Sequence, residues 1–249
     1  MGKGSRTRVA TYNFGMMPLD SRVENFRTRR RDWGLTRALH WQVMSVLFKL
    51  GIRVHYVFLE PNLLEILGEE KPVVPEGFDT RIVGLETMLP FAGIVPDLDR
   101  EFLETAFGRG DVCIANFRGD EVVGFAFVTF TRARVTPQLD VIVPKGFLYV
   151  YKGWTHPDYR RANLASSRVY LRHRFMRGNH SLRGLSYIET HNYVSLLRGY
   201  RAPQHRRIRM GLCGWLTLLG RQIPFNSRRA KWIGFEMVRK EDDGRRQYV

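Results

Sequence analysis

The first clear pattern along the chain is helical. Between Leu35 and Leu50 apolar residues recur close to every 3.6 positions, and Gly51 follows as a natural helix end. The residues that carry this period are Leu35, Ala38, Leu39, Val43, Val46, Leu47 and Leu50. They predict one amphipathic helix, and the apolar run His55–Pro61 behind it predicts a short strand.

The pattern changes after Glu69–Gly77, whose prolines and charges indicate a linker or loop. Beyond it, strand-like and helix-like patterns alternate. In chain order they predict a strand at Phe78–Val83, a helix at Asp97–Phe107, a hairpin turning at Arg118–Glu121, an aromatic strand at Gly146–Thr155, a helix at Arg161–Phe175, a strand at Leu185–Thr190 and a short helix from Asn192. The last third, Arg206–Val238, predicts one or two strands and a terminal element. This mixture predicts an α/β (α+β) fold class with a mixed, mostly antiparallel sheet.

The N-terminal residues have a different character from the rest. Residues 1–34 contain the run Arg27–Arg31 and little patterned apolar content, so we predict a basic arm there. Residues 35–76, with one helix and one strand, are predicted to form an N-terminal extension. Residues 77–249 are then the main domain.

The net charge of the chain limits the classes of partner that it is expected to bind. The sequence has 249 residues, of which 40 are basic and 24 acidic, and its formal net charge of +16 favours an anionic partner. Nucleic acid, an acidic membrane surface, an acidic carrier protein and a polyphosphate cofactor all remain open. Cys113 and Cys213 lie far apart and outside any metal-binding spacing, so we expect no metal site, no disulfide framework and a cytoplasmic location. No apolar run approaches the roughly 18 residues of a membrane-spanning helix.

The segment between the aromatic strand and the basic helix carries the most chemical information. A helix N-terminus offers unpaired N–H groups and a partial positive charge, which together can hold a pyrophosphate. Small residues let the backbone approach such an anion, and Ala162, Ala165 and Ser166 are small. Asn163 tolerates the left-handed backbone conformation that glycine otherwise supplies. Arg161, Arg168 and Arg172 follow at helical spacing and predict a positive stripe.

These residues resemble the signature of the GNAT N-acetyltransferases. The family begins this helix with Gln/Arg-x-x-Gly-x-Gly/Ala after His-Pro-x-Tyr, and this chain has His156–Arg160 followed by Asn163 and Ala165. The hairpin around Arg118–Glu121 is similar to the family's second and third strands, and Asn192 opens a similar Asn-x-x-Ser helix. The resemblance covers residues 77–240.

The resemblance implies a fold and a cofactor site. The strand Tyr149–Thr155 would splay from the next strand of the sheet, which helices flank, and the pantetheine arm of acetyl-CoA or another acyl-CoA would lie in the gap. Backbone groups of Trp154 and Thr155 would pair with that arm, and Asn192 would sit beside the thioester. The phosphates would bind at the helix start, on Arg160, Arg161, Ala162, Asn163, Leu164, Ala165 and Ser166.

The catalytic residues that the resemblance implies depart from the family pattern. Relatives carry a tyrosine as general acid seven residues after the asparagine, where this chain has Gly199, so the neighbouring Tyr200 is the candidate acid. A carboxylate base is often placed where this chain has Lys152, and Glu189 is the nearest alternative. A salt-bridged or solvated Glu189 and a packing role for Tyr200 remain open beside these roles.

The functional hypothesis is therefore an acyl-CoA-dependent N-acyltransferase that transfers an acetyl group to an amine of a small molecule or a peptide. An acyl carrier protein thioester is the alternative donor. A second hypothesis is a non-catalytic module of the same shape that binds nucleic acid or an anionic membrane through its basic surface. In the membrane case, Leu35–Leu50 would lie on the lipid and the protein would be membrane-associated.

Overall fold

The computed structural model describes residues 19–60, 72–95, 98–177, 183–193, 195–197 and 207–240. Contacts along the chain separate two compact units, Met1–Val46 and Leu47–Val249. The second unit contains the whole β-structure of the described residues, and with it the candidate site.

The N-terminal unit is helical. Helix α1 spans Leu19–Trp33 and helix α2 spans Leu35–Lys49, with Gly34 between them at a φ of 87°. The guanidinium of Arg29 lies 3.6 Å from the ring centre of Trp41 and ties the two helices together. The periodic pattern predicted α2 correctly, whereas α1 lies inside the predicted basic arm and was not foreseen.

Helix α2 keeps much of its apolar face exposed. The exposed members of the predicted stripe are Leu35, Leu39, Val43, Val46 and Leu50 at the end of the helix. Ala38 and Met44 are the buried residues of α2. No helix among the described residues is long and apolar enough to span a bilayer.

The second unit is built on an eight-stranded sheet in the order β10-β9-β1-β8-β7-β4-β3-β2. Its strands are β1 (Ile52–Glu60), β2 (Phe78–Val83), β3 (Val112–Arg118), β4 (Glu121–Thr129), β7 (Phe147–Thr155), β8 (Arg183–Glu189), β9 (Ile208–Leu218) and β10 (Arg221–Asn226). A small sheet in the order β11-β6-β5 adds Arg132–Arg134 (β5), Leu139–Ile142 (β6) and Glu236–Arg239 (β11). The only parallel pair in these two described sheets is β7 with β8.

Helices accompany the sheets in the second unit, and four of them lie wholly within the described residues. They are α3 (Leu85–Met88), α4 (Arg100–Gly108), α5 (Leu164–Arg177) and α6 (Arg228–Trp232). Asp99 caps α4, because its carboxylate accepts a hydrogen bond of 2.7 Å from the N–H of Phe102. Short 3₁₀ turns at Leu89–Phe91 and Pro157–Tyr159 complete the list.

Apolar side chains cover both faces of the large sheet. One cluster joins Ile114, Val128 and Leu148 of the sheet to Met176 of α5. The larger cluster lies on the opposite face, where β-strand side chains meet α4 and the small sheet. Because successive side chains of a strand point to opposite faces and both faces are covered, the inner strands β3 and β4 are mostly apolar and buried at nearly every position.

The observed architecture confirms the predicted fold class. The sheet is mixed and mostly antiparallel, helices flank it, and the predicted hairpin turns at Gly119 and Asp120 between β3 and β4. One placement was beyond the sequence pattern: β1, assigned there to an N-terminal extension, lies between β8 and β9 inside the sheet.

Candidate active site

The sheet opens between β7 and β8. These strands pair only at Phe147 with Arg183, Leu148 with Gly184 and Tyr149 with Leu185, although β7 continues to Thr155 and β8 to Glu189. We call the position where this ladder stops the closed end of the gap. The open end lies where β7 and β8 finish. This splay is the one that the family resemblance implied.

A bulge in β7 accompanies the splay. Lys152 and Gly153 together oppose Ala126 of β4, because the register shifts between Phe125 and Phe127. The backbone of Lys152 is left-handed there, with a φ of 49°. A bulge of this kind bends its strand and removes a backbone position from the ladder, and here the bulged residues line the cavity described next.

A cavity of about 820 Å³ fills the gap. It reaches from Ala165 of α5, across Val150 of β7, to Trp215 of β9. His55 and Glu60 of β1 also line it, from opposite faces of the sheet, since they are an odd number of positions apart on one strand. A cleft of this volume suits a drug-sized ligand, and it passes through the sheet from one face to the other.

The start of α5 lies at the cavity's open end. Asn163 has a φ of 60° and Arg161 a φ of 73°, so the left-handed conformation expected of Asn163 is present. The carbonyl of Asn163 accepts hydrogen bonds from the N–H groups of Ser166 and Ser167, at 3.0 and 3.2 Å. The N–H groups of Leu164 and Ala165, the first two residues of the helix, have no earlier turn of helix to bond with. Together with Ala165 in the cavity wall, they form an electropositive, closely approachable helix start.

The predicted positive stripe on α5 is wrong for two of its three members. Arg161 is exposed, but Arg168 and Arg172 are buried and turn toward the sheet. Arg168 donates to the side chains of Asn116 and Thr155, the latter at 2.8 Å. The stripe was misjudged because helical spacing places residues on one face without telling whether that face is covered.

Arg172 belongs to a buried ionic cluster at the closed end. It donates a hydrogen bond to the carboxylate of Glu60. The same carboxylate accepts a hydrogen bond of 2.8 Å from the hydroxyl of Ser186 and lies 3.2 Å from Nε of Arg207. The side chains of Glu60 and Arg172 are only 5% and 7% exposed. Burial alone would raise the pKa of Glu60, but Arg172 and Arg207, with the Ser186 hydrogen bond, outweigh it and lower the pKa to about 2. Glu60 is therefore ionised at neutral pH.

The candidate base Glu189 lies at the open end and lines the cavity. Its carboxylate is 3.7 Å from the guanidinium of Arg53 and 3.6 Å from Nε2 of His191, with 38% of the side chain exposed. Across the β1–β8 ladder it stands opposite His55, so both side chains share one face of the sheet. The structure thus combines a salt-bridged Glu189 with a position in the cavity wall.

Asn192 and Lys152 both line the cavity. Asn192 accepts a hydrogen bond of 3.2 Å from the N–H of Ser195 through Oδ1, which makes it the cap of the turn that follows. The ammonium of Lys152 lies 4.4 Å from the ring centre of Phe102. Tyr200 falls outside the described residues.

The remaining predicted cofactor residues lie along the open end. Trp154 and Thr155 pair with Phe125 and Gly124 of β4 through one edge of β7, while the other edge of these residues faces the gap. Arg160 and Arg161 are exposed, Ala162 is half-buried, and Leu164 and Ser166 are buried in the first turn of α5.

The sequence pattern did not single out His55, Glu60, Arg207 or Trp215. His55 is 3% exposed, stacks on Trp215 at a ring distance of 5.3 Å, and its Nδ1 has no hydrogen-bond partner among the described residues. Burial, with Arg53 and His191 nearby, lowers its pKa to about 3, so it is neutral. The only local sign that such residues are functional is a polar residue inside a mostly apolar strand, and this sign does not predict which residues it contacts.

Comparison with known proteins adds distant likenesses. No protein-family model and no curated protein matches the chain. Among solved structures, a Drosophila protein matches with a TM-score of 0.49 and 14% identity over 72% of this chain and 57% of its own. A tandem GNAT protein from the clavulanic acid biosynthesis pathway matches with a TM-score of 0.45 and 11% identity, over 66% of this chain and 54% of its own.

A third similar structure is the PaiA N-acetyltransferase of Thermoplasma acidophilum, solved in complex with coenzyme A, with a TM-score of 0.36 and 14% identity over 50% of this chain and 87% of its own. The chain spans little more than half the length of the first two proteins. At TM-scores below 0.5 these likenesses are distant. The tandem protein is named as a GNAT protein, and the Thermoplasma protein as an N-acetyltransferase.

Proposed function

We propose that this chain is an acyl-CoA-dependent N-acyltransferase of the GNAT type, with the arm of the cofactor in the gap between β7 and β8. One observation carries the proposal: two parallel strands separate around a cavity of about 820 Å³ whose open end meets the start of α5. An extended, amide-containing arm fits such a gap, because the free edge of β7 offers it strand-like hydrogen bonds.

The phosphates bind at the start of α5 in this proposal. The N–H groups of Arg161 and Asn163 before the helix, and of Leu164 and Ala165 in its first turn, supply donors, and the helix adds partial positive charge. The left-handed backbone at Arg161 and Asn163 shapes the approach, and exposed Arg160 and Arg161 add charge that salt can screen. Backbone groups of Trp154 and Thr155 bind the pantetheine amides.

The chemistry is direct attack of an amine on the thioester. The amine nitrogen forms a bond to the carbonyl carbon, the C–S bond breaks, and coenzyme A leaves as a thiolate that takes up a proton. Glu189 accepts the proton that the amine loses, Asn192 lies beside the thioester, and Tyr200 supplies the proton to the thiolate. A backbone N–H at the Lys152–Gly153 bulge stabilises the carbonyl oxygen as negative charge develops on it. Holding both reactants in the cavity supplies much of the rate.

Calorimetric titration with coenzyme A and acetyl-CoA tests this function. We expect dissociation constants on the order of micromolar. Ala165→Phe should abolish binding, because the ring fills the helix start, and Ala165→Ser should retain it as the matched control. Absence of heat and of thermal stabilisation with the wild-type protein would refute the proposal. Retained binding in Ala165→Phe would move the phosphates elsewhere.

A second candidate function, contact with an anionic membrane, is favoured by the exposed stripe of α2. The stripe Leu35, Leu39, Val43 and Val46 lies next in sequence to the basic run Arg27–Arg31. We expect the chain to sediment with anionic vesicles, and Leu39→Glu with Val43→Glu to reduce this strongly. Equal sedimentation of wild type and variant would argue against the contact.

A further inference from the structure

The closed end of the cavity is polar and charged. Where the β7–β8 ladder stops, Ser186 is the next residue of β8, and its hydroxyl, Glu60, Arg172 and Arg207 all line the cavity. A neutral acyl chain would gain nothing from such groups, because burying charges without partners costs free energy. The side chains at this end therefore favour a polar or charged ligand group over an apolar one.

The cluster holds an excess of positive charge. One carboxylate, that of Glu60, stands against the two guanidiniums of Arg172 and Arg207. The neighbouring His173 adds no charge at neutral pH, since burial and the nearby Arg172 lower its pKa to about 4. Among the described residues, this cluster thus carries one positive charge more than Glu60 neutralises.

The donors of the cluster are also incompletely used. Nε of Arg172 is buried and has no hydrogen-bond partner among the described residues. Arg207 meets Glu60 through Nε, at 3.2 Å, and its side chain remains 19% exposed. Nε of Arg207 is likewise buried without a hydrogen-bond partner among the described residues, and guanidinium groups bind carboxylates in a bidentate manner.

We propose that Arg172 and Arg207 bind a carboxylate of the substrate at the closed end of the cavity. This inference rests on the proposed acyltransferase function. The phosphates of the cofactor are the wrong source, because Ala165 and Arg172 are seven residues apart on α5, about 10 Å along the helix axis. The carboxylate comes either from an acyl group with a distal acid or from an acceptor such as an amino acid.

The donor arm of the test compares succinyl-CoA with butyryl-CoA by calorimetry. The two acyl groups have the same chain length, and only succinyl ends in a carboxylate. A donor carboxylate predicts at least about tenfold tighter binding of succinyl-CoA. Unacylated coenzyme A separates the two ideas: if it fails to bind, the acyltransferase function itself is wrong, whereas binding without acyl preference counts only against a donor carboxylate.

The acceptor arm uses acetyl-CoA with L-amino acids and their α-amides. An acceptor carboxylate predicts a kcat/KM at least about tenfold higher for the acids than for the amides. A preference in either arm supports the carboxylate site and names its source. No preference in both arms overturns the proposal.

Variants then assign the preference to the arginines. Arg207→Gln should abolish the preference for the carboxylate-bearing ligand, so that the measured ratio falls to about one, while the affinity for unacylated coenzyme A stays unchanged. Arg209→Gln is the matched control, because Arg209 is an exposed arginine two positions further along that does not line the cavity. If Arg207→Gln does not fold, Arg207→Lys keeps the charge but loses the planar fork, and it should weaken the preference. A preference that survives at position 207, or falls equally at 209, refutes the assignment.

Discussion

At the open end of the β7–β8 gap, Arg160 and Arg161 are exposed and Glu189 is partly exposed, whereas at the closed end Glu60 and Arg172 are buried. Glu189 and Glu60 show the difference, with side chains 38% and 5% exposed. Both carboxylates meet arginine, yet only Glu60 depends on it, because a buried charge without a partner is expensive and a solvated one is not. The open end is therefore suited to groups that must bind, react and leave. The closed end is suited to discriminating between ligands.

Removing the carboxylate at the closed end should have the largest effect. Glu60→Gln leaves Arg172 and Arg207 facing each other without a counter-charge, and breaking a buried pair in this way costs about 3–5 kcal/mol of unfolding free energy. Urea unfolding measures it. Glu121→Gln, at an exposed position of β4, is the control and should change the free energy by less than about 0.5 kcal/mol. Equal effects of the two changes would erase the contrast between buried and exposed carboxylates.

Removing the carboxylate at the open end should affect the rate and not the fold. If Glu189 is the base, Glu189→Gln should lower the turnover rate by about 10²-fold at neutral pH. Affinity for acetyl-CoA and the urea midpoint should remain at wild-type values. Tyr200→Phe tests the acid in the same assay. Wild-type rates in both variants would show that positioning alone drives the reaction, and the pH–rate profile would then follow the substrate amine.

Several strands of this fold could be predicted because their signals are local, whereas the short strands β5 and β6 were missed. A few consecutive residues are enough to predict the hairpin turn at Gly119 and Asp120, and the same holds for the aromatic strand ending at Thr155. The left-handed backbone of Asn163 was likewise foreseeable from its residue type. Helix α1 was missed because its charged residues carry no apolar period.

The closed end could not be predicted, because it depends on contacts between distant parts of the chain. Arg172 and Glu60 are 112 positions apart, and Ser186 is 126 positions from Glu60. They meet because β1 inserts between β8 and β9, a register that no local pattern specifies. Arg172, which helical spacing assigned to a positive stripe, is thus an internal counter-ion of Glu60.

Acid should destabilise the closed end through His173. The folded chain keeps this imidazole neutral down to a pKa of about 4, because burial and Arg172 oppose its charge more than Glu60 favours it. Between pH 6.5 and 4 the unfolded chain takes up a proton that the folded chain refuses, so the free energy of unfolding falls as the pH is lowered. Urea titrations should show that His173→Gln removes about 3 kcal/mol of this pH dependence. An unchanged slope would mean that His173 is already solvated.

The smallest expected effect is a difference in salt dependence between ligand binding at the open end and at the closed end. Between 0.05 and 0.5 M NaCl, the affinity for acyl-CoA should fall several-fold, because the Debye length shrinks from above to well below about 10 Å and screens the exposed Arg160 and Arg161. Arg161→Gln should flatten this dependence. The ratio of succinyl-CoA to butyryl-CoA affinity should stay nearly constant over the same range, since the closed end lies inside the protein where mobile ions do not enter. Calorimetry at both salt concentrations measures both quantities. A ratio that collapses together with the overall affinity would show that the carboxylate is recognised by exposed surface charge and not by Arg172 and Arg207.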